Sequence, residues 1–291
     1  MAITEGTNRS RILVAGCGAL GGQVALEMSR DCEVFGLRRT AARVPAPVTA
    51  IAADLLKPEE LKAVVPSDLD AIVYCLTPSN YDREGYEAAF VTGLRNLLNA
   101  IDGSPVRRLI FVSSSSVYGQ DDDSWIDETS ETRPSRYTGE KILEGETLAL
   151  DSGLPATVVR FSGIYGPSRQ RFLESVVNGM LVPTKPAPYT NRIHERDACS
   201  TLCHLLRKSL AGHSIADCYL ASDCKPARLD EVVDWLCEQV PCTPPKPEAR
   251  TGGRAGSKRC NNRRLLDSGF EFQYPDYRAG YREMLEQNRT G

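Results

Sequence analysis

Three groups of residues in this 291-residue chain have the types and spacing to do chemistry. The first is Tyr137-Thr-Gly-Glu-Lys141, at the head of a helical run. Side chains four apart share a helix face, so the phenol and the ammonium point the same way. A nearby cation favours phenolate and lowers a tyrosine pKa from about 10 toward working pH. Tyr137 is therefore a candidate acid/base. The second is Phe111-Val-Ser113-Ser114-Ser115-Ser116-Val-Tyr118-Gly119, an apolar run ending in hydroxyls. Hydroxyls at the carboxyl end of a strand stand where open α/β sheets bind ligands. The third is Arg11-Ile-Leu-Val-Ala-Gly16-Cys-Gly18-Ala-Leu20-Gly21-Gly22. Here an apolar strand runs into G-x-G-x-x-G and then a helix, the context a dinucleotide-binding turn requires. Gly16 permits the tight turn, Gly18 lets the main chain approach a pyrophosphate, and Gly21 lets helix and strand pack closely. The helix N-terminus adds free N–H groups and a positive dipole end. Singly these signals are weak: a YxxxK pair is usually an exposed helix pair, and a serine run is usually a loop.

The elements that must position these groups alternate along the first half. Strands are expected at Ile12–Ala15, Glu33–Leu37, Val48–Ala52, Ala71–Leu76, Leu109–Ser113 and Ala156–Phe161. Helices are expected at Gly22–Arg30, Pro58–Val64, Tyr86–Ile101 and Tyr137–Leu150. In the third of these helices Phe90, Leu94, Leu97, Leu98 and Ile101 share one face. Apolar strands alternating with helices imply a parallel sheet covered on both faces, an α/β Rossmann-type doubly wound fold. After Phe161 the pattern changes. Arg160-Phe-Ser-Gly163-Ile164-Tyr165-Gly-Pro167 reads as a strand running into a turn, and Pro183, Pro186 and Pro188 break any long element. Helices return at Asp197–Leu210 and Leu229–Val240, with a short strand at Cys218–Ala221. Arg263–Leu265 and Tyr277–Glu286 close the chain. The expected division is a nucleotide-binding domain over 1–162 and, over 163–291, a small substrate-binding lobe with returning sheet elements.

A net charge of −3 provides no basic field for nucleic acid. No apolar run reaches membrane-spanning length, and residues 1–10 lack the apolar core of a signal peptide. The ten cysteines include no CxxC pair. Free thiols without an export signal imply a reducing cytoplasm. Cys199, Cys203 and His204 read as buried small residues and a neighbour on one helix, so no metal is expected. Asp121-Asp122-Asp123 reads as a solvated loop, because adjacent acids diverge. The basic stretch Arg254–Arg264 also reads as a solvated loop, lacking interleaved aromatics. Trp125 lies between the serine run and Tyr137, where either a lid or a packing role is open.

In this order, the three groups resemble the extended short-chain dehydrogenase/reductase superfamily, in its NAD(P)-dependent epimerase/dehydratase branch. The resemblance covers nearly the whole chain. It extends to Asp54, to Asn191-Arg192-Ile-His194-x-x-Asp197 and to the closing segment Asn261–Gly280. The turn Gly36-Leu-Arg38-Arg39 resembles that of small bacterial epimerase-like members. The resemblance implies that Tyr137 exchanges a proton with a substrate hydroxyl or carbonyl. Lys141 would bind the nicotinamide ribose, and Ser114, with Ser115 as the fallback, would hydrogen-bond the reacting oxygen. Asp54 and Leu55 would flank the adenine, Cys75, Leu76 and Thr77 would line the cofactor, and Phe161, Gly163 and Ile164 would pass the nicotinamide. Ser115, Tyr165, Arg169, Arg192 and His194 would face the substrate. For Arg192 and His194 a structural polar contact is the equal alternative, and for Arg169 and Arg171 a solvent-facing position is.

Where NAD enzymes of this kind place an acid for the ribose 2′-hydroxyl, this chain has Arg38 and Arg39. A guanidinium cannot accept from a hydroxyl but pairs well with a 2′-phosphate, so NADP is expected over NAD. The chain also departs from the nucleotide-sugar members. Gly163 and Phe90 stand where those commonly carry Asn, Tyr74-Cys-Leu-Thr77 replaces the usual strand ending, and the stretch from Pro167 to Asn191 is short. The expected function is an NADP-dependent oxidoreductase or epimerase on a small carbonyl or carbinol substrate, and a homodimer is compatible with it. The alternatives are a catalytically idle NADP-binding regulator and a nucleotide-sugar epimerase or dehydratase.

Overall fold

The computed structural model describes residues 9–182, 186–245 and 256–290. Pro183 and Arg254 lie outside the described residues. The strands of the first half are β1 (Arg11–Ala15), β2 (Glu33–Arg38), β3 (Thr49–Ala52), β4 (Ala71–Tyr74), β5 (Arg108–Ser114) and β6 (Ser124–Ile126). The second half adds β7 (Ala156–Phe161), β8 (Gly163–Tyr165), β9 (Tyr189–Thr190), β10 (Arg192–His194), β11 (Cys218–Ala221), β12 (Ala227–Arg228) and β13 (Lys258–Cys260). Seven of them form one sheet in the order β11-β7-β5-β4-β1-β2-β3. The pairings from β3 through β5 are parallel. Ile12–Ala15 and Ala71–Tyr74 are fully buried, as apolar strands covered on both faces must be. The strand order reverses beside β1, so the glycine turn that follows β1 lies where doubly wound sheets bind ligands. The fold class expected from the alternating pattern is therefore the one found.

The chain forms two compact units that interleave along the sequence. One comprises 1–112, 144–158 and 202–217, and the other comprises 113–143, 159–201 and 218–291. In the first unit, helix α1 (Ala19–Met28) starts three residues before the expected Gly22. Gly21 and Gly22 are helical, and at Gly21 a bare Cα is needed where the helix meets the turn, because a Cβ there would overlap the Gly16 carbonyl. Helix α2 (Pro58–Val64) is as expected, with Pro58 in its opening turn. The single helix expected over Tyr86–Ile101 is instead α3 (Arg83–Glu87), a wider π-helical turn over Ala88–Thr92, and α4 (Gly93–Ala100). It starts earlier because the Asp82 carboxylate accepts the Gly85 N–H at 2.7 Å, an N-cap. Phe90 is core here: it packs edge-on to Phe111, which stacks on Tyr74.

The second unit holds α6 (Arg171–Val177), α8 (Leu229–Gln239), α9 (Arg263–Asp267) and α10 (Tyr277–Thr290). Two long helices, α5 (Tyr137–Leu150) and α7 (Glu195–Leu210), begin in it. Its core gathers Tyr165, Leu173, Val176, Leu236, Tyr277 and Tyr281. Besides the helices and the strand expected after Phe161, short paired strands are present: β8 with β10, β9 with β12, and β13 with β6, which precedes Phe161. Strands this short show no period-two pattern, so periodicity could not reveal them. Cys237 and Cys242 are joined by a disulfide, with Cα atoms 5.4 Å apart. The expectation of free thiols thus holds for the other eight cysteines only. Among the described residues no helix is long and apolar enough to cross a membrane, and no His, Cys, Asp and Glu cluster can hold a metal.

One buried acid matters for stability. Asp223, just after β11, is 1% exposed, accepts the Lys225 N–H at 3.1 Å, and donates its own N–H to the Arg192 carbonyl. Burial pushes its carboxyl up to about 8. The folded state holds this proton more tightly than the unfolded chain, so the contribution to stability is present at low pH. It is lost as pH rises from the ordinary carboxylate range through about 8. The wild type should therefore lose thermal stability as pH rises from about 4 to about 8. Asp223→Asn, a neutral isostere, should flatten that loss by on the order of 5 °C in thermal melts. A variant with an unchanged pH slope would remove Asp223 as the cause.

Candidate active site

In the first unit the glycine turn is shaped by what it excludes. Gly16 has φ +90°, and a Cβ there would overlap the Cys75 carbonyl and the Leu76 side chain. A Cβ on Gly21 would overlap the Gly16 carbonyl. Gly18 differs: a Cβ there would meet nothing closer than the Gly16 carbonyl at 3.9 Å. Its Cα faces open space, at the N-cap of α1, with no side-chain cap bond. The N–H groups of Ala19, Leu20 and Gly21 have no intrahelical acceptor by construction. This cradle fits a pyrophosphate. Leu20 is buried, so it can offer only its main-chain N–H.

Arg38 closes β2 beside the same turn. Its Nη1 donates to the Cys17 carbonyl at 3.0 Å and to the Arg43 carbonyl at 3.2 Å. No partner of its Nε and Nη2 is found among the described residues. Arg39 is exposed and donates to Ser79 Oγ at 3.0 Å. Asp54 accepts the Leu56 N–H at 3.0 Å, closing its own turn, and the Leu55 carbonyl accepts Asn96 Nδ2 at 2.9 Å. Cys75 and Leu76 wall the glycine turn, and Thr77 beyond them is exposed.

In the second unit the serine run leaves β5 and makes one tight turn over Ser115–Val117. Ser114 Oγ accepts the Ser116 N–H at 3.2 Å. The first turn of α5 packs on this turn, because Gly139 has no side chain: a Cβ there would lie 2.5 Å from the Ser116 carbonyl. Tyr137 and Lys141, two residues either side of Gly139, are both half-buried. Ser114, Ser115, Tyr137 and Lys141 are thus brought to one turn–helix junction. Downstream, Tyr118 Oη accepts from Arg160 Nη1 at 2.8 Å and donates to the Asp127 carbonyl at 2.9 Å. Trp125 lies on β6, half exposed, under the Arg259 guanidinium at 4.9 Å. That strand pairs with β13, and the Trp125 ring keeps over half its surface exposed.

The residues expected to face the substrate divide. Gly163 and Arg169 are exposed and Ile164 is half-buried. Phe161 is buried at the end of β7. Tyr165 is buried against His194, Tyr281 and Gly280, and burial pushes its phenol far up. His194 is fully buried between Tyr165 and Tyr274, with Nδ1 accepting the Arg196 N–H at 3.3 Å, and burial pushes its pKa down. Arg192 is buried over Phe172 and Tyr277 and donates to Thr190 Oγ1 at 2.8 Å. These three support the lobe from within. The acidic run is likewise structural: Asp121 accepts the Ser257 N–H, Asp122 the Ser124 N–H, and Asp123 the Arg228 Nη2 and the Ser257 hydroxyl. Sequence reasoning passed over Lys258, which is almost fully buried. Its signal was a lysine in an alternating run, hidden by the basic stretch around it.

The sequence profile of the NAD dependent epimerase/dehydratase family matches residues 12–208. The chain belongs to that family. A structure from Methylobacillus flagellatus, described as a "putative NAD-dependent epimerase/dehydratase", superposes with TM-score 0.79 at 32% identity, covering 96% of this chain and 99% of its own. Protein YeeZ of Escherichia coli is 27% identical over 281 residues, 91% of this chain and 97% of its own. The UDP-glucose 4-epimerase of Thermus thermophilus in complex with NAD shares the fold, with TM-score 0.78, 19% identity, and coverage of 96% and 99%. The family is NAD(P)-dependent, and its members are epimerases and dehydratases.

The glycine geometry separates binding from folding. Gly18→Ala meets no steric obstacle, so thermal stability should hold, while NADP(H) affinity should fall at least tenfold, about 1.4 kcal/mol. Gly21→Ala should lower the melting temperature through the clash with the Gly16 carbonyl. Fluorescence titration and thermal melts of both variants check this. Unchanged affinity in Gly18→Ala would place the pyrophosphate elsewhere.

Proposed function

We propose that this chain is an NADP-dependent oxidoreductase or epimerase acting on a compact carbonyl or carbinol substrate, with Tyr137 as acid/base. The observation that supports the reading is the junction at Gly139, where the first turn of α5, which carries Tyr137 and Lys141, meets the Ser116 carbonyl. A nicotinamide, when bound, would supply or accept the hydride at the substrate carbon. Tyr137 gives its proton to the carbonyl oxygen in reduction and takes it from the carbinol in oxidation. Lys141, one helical turn on, favours the phenolate and so eases that exchange. Ser114 accepts from a main-chain N–H, which leaves its own hydroxyl proton to donate to the reacting oxygen. Ser115 follows in the same turn and is the second donor. Re-addition of hydride to the opposite face would make the same parts an epimerase. Arg38, anchored by two carbonyls beside the glycine turn, supports NADP over NAD through a 2′-phosphate contact.

The named activities of structural neighbours favour a second reading, a nucleotide-sugar epimerase or dehydratase. Against it, Gly163 is exposed and bears no side chain to hold a sugar. UDP, UDP-glucose and dTDP-glucose should show no micromolar binding by calorimetry with NADP present, and micromolar binding of any of them would restore that reading.

Two variants test the chemistry. Tyr137→Phe should abolish turnover on carbonyl compounds with NADPH affinity nearly unchanged, while Lys141→Ala should lose both. Turnover of Tyr137→Phe within tenfold of wild type, about 1.4 kcal/mol of barrier, would sink the assigned role. NADPH binding without oxidation by any carbonyl compound would favour the idle regulator. Arg38→Ala should weaken NADPH by roughly 1.5–3 kcal/mol, about one to two decades, and NADH far less. A wild type that prefers NADH would overturn the cofactor assignment.

A further inference from the structure

We infer that Cys237 and Cys242 form a reversible exchange site for small thiols of the glutathione class, and that its opening loosens the end of α6. The site does not depend on the activity proposed above. Cys237 stands in the last turn of α8 and is exposed. Val240 ends that helix in an extended conformation and donates its N–H to the Leu236 carbonyl at 3.1 Å. Beyond Pro241 the chain returns, so that the Cα of Cys242 lies 5.4 Å from that of Cys237. Cys242 is half-buried against the core of the lobe. Main-chain bonds and packing thus hold the two residues side by side apart from the sulfur bond. Reclosure after opening is intramolecular, which favours it strongly. A bond across five positions of sequence also removes less freedom from the unfolded chain than a long-range one would. Exposed disulfides are the labile ones, because an attacking thiolate must reach a sulfur. Cys237 provides that access. The other eight cysteines are free thiols, so oxidation is confined to this pair.

The exchange balances as a two-electron step. A thiolate of the reductant attacks Cys237 Sγ, the bond to Cys242 breaks, and Cys242 leaves as a thiolate that takes a proton from water. A second thiolate attacks the mixed disulfide, and Cys237 leaves in the same way. The pair gains two electrons and two protons, and two small thiols become one disulfide. The residues that follow Cys242 are docked on the end of α6. The Thr243 N–H donates to the Val177 carbonyl at 2.8 Å. Gly179, at φ +82°, faces the carbonyls of Thr243 and Pro244, which a Cβ there would meet at 2.9 and 2.8 Å. With the sulfur bond closed, Cys242 ties this loop to α8, and the loop in turn ties down α6. With it open, the Thr243 bond and packing alone keep the loop in place. Helix α6 carries Phe172, on which both Arg192 and Tyr281 lie, so a change at its end is felt within the lobe.

The test uses the full chain, held without oxygen in buffers of reduced and oxidised glutathione, then alkylated and read by peptide mass spectrometry. The pair should open in excess reduced glutathione while the chain stays folded, and should reclose in oxidised glutathione. Cys242→Ser should retain one glutathione on Cys237. Should that variant not fold, alkylation of the wild type early in reduction reads the same mixed disulfide at Cys237. Hydrogen exchange over residues 171–179 should be about fivefold faster in the open form, while residues 16–22 should exchange alike in both. A pair that opens only as the chain unfolds is a structural disulfide and overturns the inference. So does a pair that never closes in oxidised glutathione. Equal exchange over residues 171–179 in the two forms overturns the coupling to α6.

Discussion

A bare Cα at Gly21 lets α1 begin against the carbonyl of Gly16, and the shape of the glycine turn depends on that contact. With a side chain there, the helix would stand off the turn. Gly16 is held on its other flank by the Cys75 carbonyl and Leu76, so the turn has no slack on either side. The Gly16 and Cys17 N–H groups both donate to the Leu37 carbonyl, which ties the turn to β2 and so to Arg38. Shape at this end is thus set by absent atoms, and among the three glycines Gly16, Gly18 and Gly21 the uncrowded one, Gly18, is exposed.

The second unit uses the same device for a different end. Gly139 lets α5 settle on the Ser116 carbonyl, and further along the same helix, in the first unit, Gly145 fits against Phe111 and the Phe90 carbonyl. A spacing that would be an exposed pair on an ordinary helix becomes a seated one. The charged and aromatic residues nearby are mostly spent on holding the lobe. Arg160 fixes Tyr118, Asp123 fixes Arg228 and Ser257, and Arg259 lies between Trp125 and Tyr189.

Much of the sheet was legible from the chain, because its strands are buried on both faces and read as unbroken apolar runs. Ala156–Phe161, Tyr137–Leu150 and Pro58–Val64 have the bounds expected from those runs. The π-helical turn at Ala88–Thr92 was not legible, since one extra residue in a helix leaves its apolar content unchanged. Nor were the two- and three-residue strands, whose order comes from side-chain bonds at long range, such as Asn191 to Lys258 and Cys260. At the candidate site, residue types gave the glycine turn, the serines and the Tyr–Lys pair. They could not separate Tyr165, Arg192 and His194, which are inside the lobe, from residues at its surface, because a motif carries no burial.

The stitching of residues 256–262 bears on how the chain assembles. Ser257 and Arg259 bond to Asp121 and Asp123 across about 136 positions of sequence, and Asn191 bonds to Lys258 and Cys260 across nearly 70. Closing loops of this size costs entropy before any bond repays it. The loop of Asp121 to Ile126 and Asn191, which follows β9, have these partners only once residues 257–260 have left the ribosome. During synthesis the sheet strands β1 to β5 can pair early, while the lobe beside the serine turn waits for the C-terminal segment. A chain cut before Ser257 would keep its Tyr–Lys pair and would lack the strap that ties Asp121, Asp123 and Asn191 together in the second unit.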